Sequence, residues 1–284
     1  MRLVYSANLH TKLLFGICFV VFAMASTASA QRQQVVEQAA TPSPDFKIVT
    51  EVVRPGSNQV ISRNQTLFQS NIVYDVRYDP ASPANPIEFT IYEPKNHKFI
   101  LLDVRRKFRL ELDTFHLLRI VDDMRKELEA NPQTVHLAKQ DFVENFDSEK
   151  QQVIVQNDVV SYSAIGQRPS PDSLLPLYHD FLDQFTRLSS TNPNSFPPFA
   201  RIRLNQSIKK YGFVPAIVSR TIKASPRNTK PFTVSTQHQL VASLSDQDKS
   251  LVRTAKLYWT QFSRVDLAKY RGIAEVRSDS RSPQ

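Results

Sequence analysis

Glycine is scarce in this chain: five in 284 residues, at positions 16, 56, 166, 212 and 272, no two of them close together. Loops that cradle phosphates need clustered glycines so that backbone N–H groups can approach the ligand, so Walker and Rossmann nucleotide sites are excluded. No G-x-S-x-G elbow and no H-E-x-x-H pair occurs, which removes the common serine-hydrolase and zinc-protease geometries. Histidines beyond the first 30 residues stand singly, at His97, His116, His136, His179 and His238. Cysteine is limited to Cys18, within an apolar run near the start.

That run has the layout of a secretory leader. Arg2 and Lys12 supply a positive start, Leu13 to Ala25 is almost wholly apolar, and Ala28 and Ala30 form an A-x-A cleavage site before Gln31. About thirteen apolar residues fall short of the roughly twenty that a membrane-spanning helix needs. Ile17, directly before Cys18, is not the small residue that a lipoprotein signal requires. Cleavage between Ala30 and Gln31 would remove the one cysteine, and with it any disulfide, thiol nucleophile or thiolate metal site. The 254 residues that remain of the 284 suffice to bury a core without staples. An exported, cysteine-free chain of this size fits a bacterial periplasm, and the sequons at Asn64 and Asn205 then have no glycan to carry. Loss of Arg2 and Lys12 takes 36 basic residues to 34 against 27 acidic, a formal charge of +7. That balance favours anionic partners such as an envelope surface, and export argues against nucleic acid.

Composition divides the chain into the leader at 1–30, a Gln/Ala/Pro-rich flexible segment at 31–44, one α+β domain at 45–272, and a polar disordered tail at 273–284. From Phe46 to Leu112, β-rich segments alternate with turns such as Pro55-Gly56-Ser57-Asn58 and Pro94-Lys95-Asn96-His97. DPASPANP, with three prolines, reads as a loop between two strands. Phe108, Leu110 and Leu112 alternate with Arg109 and Glu111, a period of two that buries one face. Short strands with short turns give an antiparallel meander of about six strands.

The period then becomes helical. Leu117, Val121, Met124 and Leu128 form a stripe after a cap at Asp113 or Thr114. QVIVQ and VVSYSAI read as a strand pair, and a second helix starts near Ser173 with Leu174, Leu177, Tyr178, Phe181, Phe185 and Leu188 on one face. PPFARIRLNQSIKKYG reads as a helix ending at Gly212. PAIVSRTIKA and PFTVSTQHQLVASL read as strands, followed by a helix capped by Ser245 with Asp248 three residues on.

Few groups invite chemistry. His179 and Asp183, four apart with Asp180 beside them, could share a cation or simply form a solvated helix face. Glu111 with Asp113, or Asp141 with Glu144, could serve as the carboxylate pair of a glycan hydrolase, but nothing separates them from surface acids, and no catalytic residue, metal ligand or cofactor is assigned. Lys95, Lys98, Arg105, Arg106 and Lys107 crowd two successive turns and would bind an anionic envelope polymer if the two hairpin tips were adjacent. They could equally be edge charges that keep strands from pairing with other molecules.

The segment TIYEPKNHKFILLDVRRKFRLELDTFHLLRIVDDM, residues 90–124, resembles the periplasmic lipoprotein-carrier (LolA-like) half-barrel, in which a meander runs into a covering helix. The order of elements is similar over roughly residues 46–240, and PPFARIRLN is similar to a segment of uncharacterised secreted bacterial families. This likeness implies a curved, half-barrel-like antiparallel sheet covered by amphipathic helices, in a monomer that accepts a lipid or lipoprotein acyl chain on its concave side. Phe46, Ile48, Phe89, Ile91, Phe108, Leu110 and Leu112 on the strands, with Leu117 and Val121 on the helix, are the expected ligand-binding residues. Strong curvature would leave an apolar cavity among them, whereas a flat sheet would turn the same residues into an ordinary core.

Overall fold

The computed structural model describes residues 44–54, 56, 59–193, 195–224 and 230–273. The leader, its cleavage site at Ala30 and Gln31, and most of the expected tail lie outside them.

The protein is α+β, built on a large, curved, unclosed and mostly antiparallel sheet. The first meander holds β1 (Phe46–Val53), β2 (Val60–Gln69), β3 (Ile72–Asp79), β4 (Ser82–Glu93), β5 (Lys98–Asp103) and β6 (Phe108–Asp113). Helices α1 (Thr114–Ala130) and α2 (Val135–Ala138) lead to β7 (Val143–Asp147), β8 (Gln152–Gln156) and β9 (Val160–Gln167). Helices α3 (Leu175–Ser189) and α4 (Phe199–Tyr211) precede β10 (Val214–Ile222) and β11 (Phe232–Val241). Helix α5 (Asp246–Gln261), the two-residue β12 (Ser263–Arg264) and α6 (Leu267–Arg271) complete the described chain.

The strand order is β12-β6-β5-β4-β3-β2-β1-β11-β10-β9-β8-β7. The expected six-stranded meander is thus half of a twelve-stranded sheet, joined to the second half by antiparallel pairing of β1 with β11. The proline-rich DPASPANP segment is not a loop throughout. β4 begins at Ser82, and its pairing with β3 shifts register twice beside Pro86. Such irregularities tolerate the N–H that proline lacks.

Two layers of helix cover the first half. Leu117 of α1 and Tyr178, Phe181 and Leu188 of α3 pack on Phe46, Phe68, Val73, Tyr92 and Phe99. We call this the inner face. On the outer face, Val252 and Ala255 of α5 pack on Leu67, Tyr74, Val76, Phe89, Ile91, Ile100 and Leu102. Helix α5 starts at a capping box, Ser245 with Asp248, and Asp248 is tied to β1 by Lys47 Nζ at 2.8 and 3.0 Å. The chain then passes the β6 edge as β12 and returns to the inner core through Tyr270 of α6.

The second half is covered on the inner face. Helix α4 lays Ala200, Leu204 and Ile208 on Val153, Val155, Tyr162, Ala164 and Val218. Gly212 ends α4 in the left-handed conformation at φ 68°, where a side chain would be strained. On the outer face, β10 and β11 carry hydroxyl ladders, Ser219 to Ser235 at 2.8 Å and Thr221 to Thr233 at 2.9 Å.

Glu144 of β7 fastens α4 to the sheet. It accepts hydrogen bonds from Ser207 Oγ (2.6 Å), Tyr211 Oη (2.8 Å) and Lys210 Nζ (2.9 Å), and pairs with Arg203 at 3.0 Å. Partial burial raises its pKa, but the three hydrogen bonds overcome that and hold it down at about 2. Its stabilisation is therefore complete above the ordinary glutamate range and is lost as pH falls toward 2. Glu144→Gln is expected to cost roughly 2 kcal/mol at pH 7, with the cost shrinking in acid, measured by urea unfolding.

Candidate functional site

Register places inner-face residues in rows across the sheet. The row at one end is apolar: Phe46, Phe68, Val73, Tyr92, Phe99 and Leu112. The next runs Leu240, Ile48, Thr66, Asp75, Thr90, Leu101 and Leu110. The third is polar and includes His238, Thr50, Asn64, Arg77, Glu88 and Asp103. Polarity thus rises along the strands beneath the helices.

Where these rows meet α3 and α4 there is a cavity of about 230 Å³. Ile48, Phe68, Tyr178, Phe181, Leu182 and Phe185 form its apolar wall. Thr50, Asn64, Thr66, Asp75, His238 and Arg201 form the polar wall. Beside it lies a groove of about 440 Å³ that shares Leu182, Phe185 and Arg201 with the cavity and continues past Tyr162, Phe196, Pro197 and Arg220.

The polar wall has a definite electrostatic character. Asp75 is 4 % exposed and accepts hydrogen bonds from Thr66 Oγ1 (2.7 Å) and Asn64 Nδ2 (2.8 Å). Burial outweighs those bonds and pushes its pKa up to about 6. His238 Nδ1 meets Thr50 Oγ1 at 2.9 Å and Nε2 meets Thr236 Oγ1 at 3.0 Å. Its burial, with the Arg201 charge nearby, pulls its pKa down to about 4, so the imidazole is neutral at pH 7.

Of the sequence-predicted ligand residues, Ile48 alone lines this cavity. Phe46, Phe108, Leu110, Leu112 and Leu117 belong to the inner core around it. Leu110 and Leu112 also border a separate surface depression with Arg264 and Leu267. Val121 is half-buried on α1 and lies outside both cavity and groove. Phe89 and Ile91 require correction. They point to the outer face and pack in the core beneath α5. In IEFTIY the inner-facing residues are Glu88, Thr90 and Tyr92, so the apolar alternation marks the opposite side of the sheet.

The basic residues do not form one patch either. Successive turns of a meander lie at opposite ends of the strand between them, and β5 separates the turn at 94–97 from that at 104–107 by about 20 Å. Lys98 pairs with Glu111 at 3.1 Å, Arg105 pairs with Asp79, and Arg106 pairs with Asp103 and donates to the Tyr270 carbonyl at 2.5 Å. Lys95 and Lys107 stay exposed, one at each end.

The other candidate groups have separate partners. His179 Nε2 lies 3.3 Å from the Phe213 carbonyl oxygen, and Asp180 accepts from the Tyr92 hydroxyl at 2.6 Å. Asp113 caps α1, while Glu111 is held ionised by Lys98 and Trp259 despite partial burial. Among the described residues no group of three His, Cys, Asp or Glu side chains converges as a metal site. Sequence reasoning missed Asp75, Arg201 and Leu182. The charged Asp75 between Tyr74 and Val76, in a run otherwise suited to burial, was the available signal.

In comparisons with known proteins, no family model matches the chain and no curated protein matches it significantly.

Proposed function

We propose that this protein is an exported, non-catalytic binding module for acyl chains, of the kind that handles lipids or lipoproteins in a periplasm. The observation that carries the reading is the cavity between the curved sheet and α3, where Phe181, Leu182 and Phe185 face Ile48 and Phe68. At about 230 Å³ it lies just below the roughly 300–1,000 Å³ of small-molecule pockets, and the adjoining groove supplies the remaining length. The leader-like residues 1–30 and the likeness of residues 90–124 to lipoprotein carriers support the same reading.

Leu182 and Phe185 border both spaces and are half-buried, so they can be changed with least damage to the core. Leu182→Glu and Phe185→Glu are expected to weaken displacement of a bound hydrophobic dye by fatty acids or lipopeptides by about tenfold or more, with the circular dichroism unchanged. Native mass spectrometry of protein from the envelope fraction is expected to show a chain beginning at Gln31 with an acyl species attached. A folded protein with no saturable dye displacement and a clean apo mass would defeat the reading.

A further inference from the structure

We propose that the groove beside the cavity is a head-group site, in which Arg201 and Arg220 hold the anionic end of an amphiphile whose chain passes between Leu182 and Phe185. The inference rests on the acyl-binding reading and names the ligand class: a carboxylate or phosphate joined to an apolar chain.

Two guanidinium groups line this groove, and no acidic residue does. Among the described residues neither has a side-chain hydrogen bond or an ion pair within 4 Å to a carboxylate. Arg220 lies over the Phe196 ring at 5.7 Å, on the inner-face position opposite Tyr162. Arg201 stands in the first turn of α4 and borders both the groove and the cavity. Both side chains are half-buried, and each faces the groove without a carboxylate partner. Burial lowers the Arg201 pKa, and Asp183, the carboxyl whose field reaches it, forms no ion pair with it.

The surrounding hydroxyls do not replace a missing anion. Thr186, Ser189, Ser190 and Ser195 donate to backbone carbonyls of Leu182, Phe185, Arg187 and Ser190. An oxyanion in the groove would accept from both guanidiniums, whose planar forks suit carboxylate and phosphate oxygens. From there the route past Leu182 and Phe185 leads into the cavity lined by Ile48, Phe68 and Phe181. The two spaces together therefore match a ligand that is charged at one end and apolar along the rest.

The test compares probes with the same chain and different heads: dodecanoate, dodecyl phosphate, dodecanol and dodecyltrimethylammonium, with inorganic phosphate as the chain-free head control. Dye displacement from the purified protein is expected to favour the two anionic probes over dodecanol by on the order of tenfold. Arg201→Gln and, separately, Arg220→Gln should reduce the ratio of anionic-probe to dodecanol affinity to near one. Arg220, on a strand rather than inside the α4 contact, serves if Arg201→Gln fails to fold. Equal affinity for dodecanoate and dodecanol in the unaltered protein would overturn the head-group site while leaving acyl binding intact. No binding of any chain-bearing probe would instead defeat the acyl reading and this inference with it. Arginine-dependent binding of inorganic phosphate as tight as that of dodecyl phosphate would overturn the role given to the chain.

Discussion

Asp75→Asn is expected to stabilise the protein by about 3 kcal/mol at pH 7, and by nothing below about pH 4. The folded state holds the Asp75 proton up to about pH 6, while an unfolded aspartate releases it near 3.8. Between those values the unfolded chain binds fewer protons, so stability falls as pH rises, and it stays low above pH 6. At 1.36 kcal/mol per pKa unit the loss amounts to about 3 kcal/mol. Asparagine removes the ionisation and can still accept from Asn64 while donating to the Thr66 hydroxyl. Urea unfolding of both proteins at pH 4 and 7 checks this; a difference independent of pH would show that Asp75 is not buried as described. His238 acts in the other direction. Its lowered pKa costs stability as pH falls from 6.5 toward 4, so the slopes from these two groups are expected to oppose each other over that range.

The second large effect is steric. Gly166 faces Pro215 across β9 and β10, where the β10 register shifts. A Cβ there would sit 2.2 Å from the Val214 carbonyl oxygen, 2.5 Å from Phe213 Cδ2 and 2.8 Å from Pro215 Cα. Backbone cannot yield as a flexible side chain does, and Phe213 is fully buried in the α4 cluster. Gly166→Ala should therefore force the two strands apart and cost roughly 3 kcal/mol or more, at the upper end of overpacking effects. Gly272→Ala is the control: its φ of 71° disfavours alanine, but the space is empty, and the cost should be about 1 kcal/mol. Thermal unfolding that ranks the two substitutions in the opposite order would refute the close approach.

These positions show what the sequence could reveal. The alternation of Phe108, Leu110 and Leu112 with Arg109 and Glu111 correctly marks an inner face, because the outer side of β6 is polar and period two then has one reading. Phe89 and Ile91 misled because β4 is covered on both sides, and the helix over its outer face, α5, lies far along the chain. Local periodicity reports that a residue is buried, and tertiary packing decides on which side. The stripe Leu174, Tyr178, Phe181, Phe185 and Leu188 was legible as one helix face. Its position over a cavity was not, since that depends on the β1–β11 junction that joins the two meanders. Arg201 resembled any basic residue in an amphipathic helix until α4 was placed against β9 and β10.

The unequal covering of the sheet has a kinetic consequence. Strands β3 to β5 lie between helices on both sides, whereas β9 to β11 present hydroxyl ladders or exposed side chains outward, and β7 ends the sheet. Amide hydrogen exchange should thus be slowest at Tyr74, Ile91 and Leu101 and faster by orders of magnitude along the edge strand β7, where local opening needs little surface to be exposed. The sheet thus has a stiff half, clamped by α5, and a more yielding wall on the side covered by α4 alone.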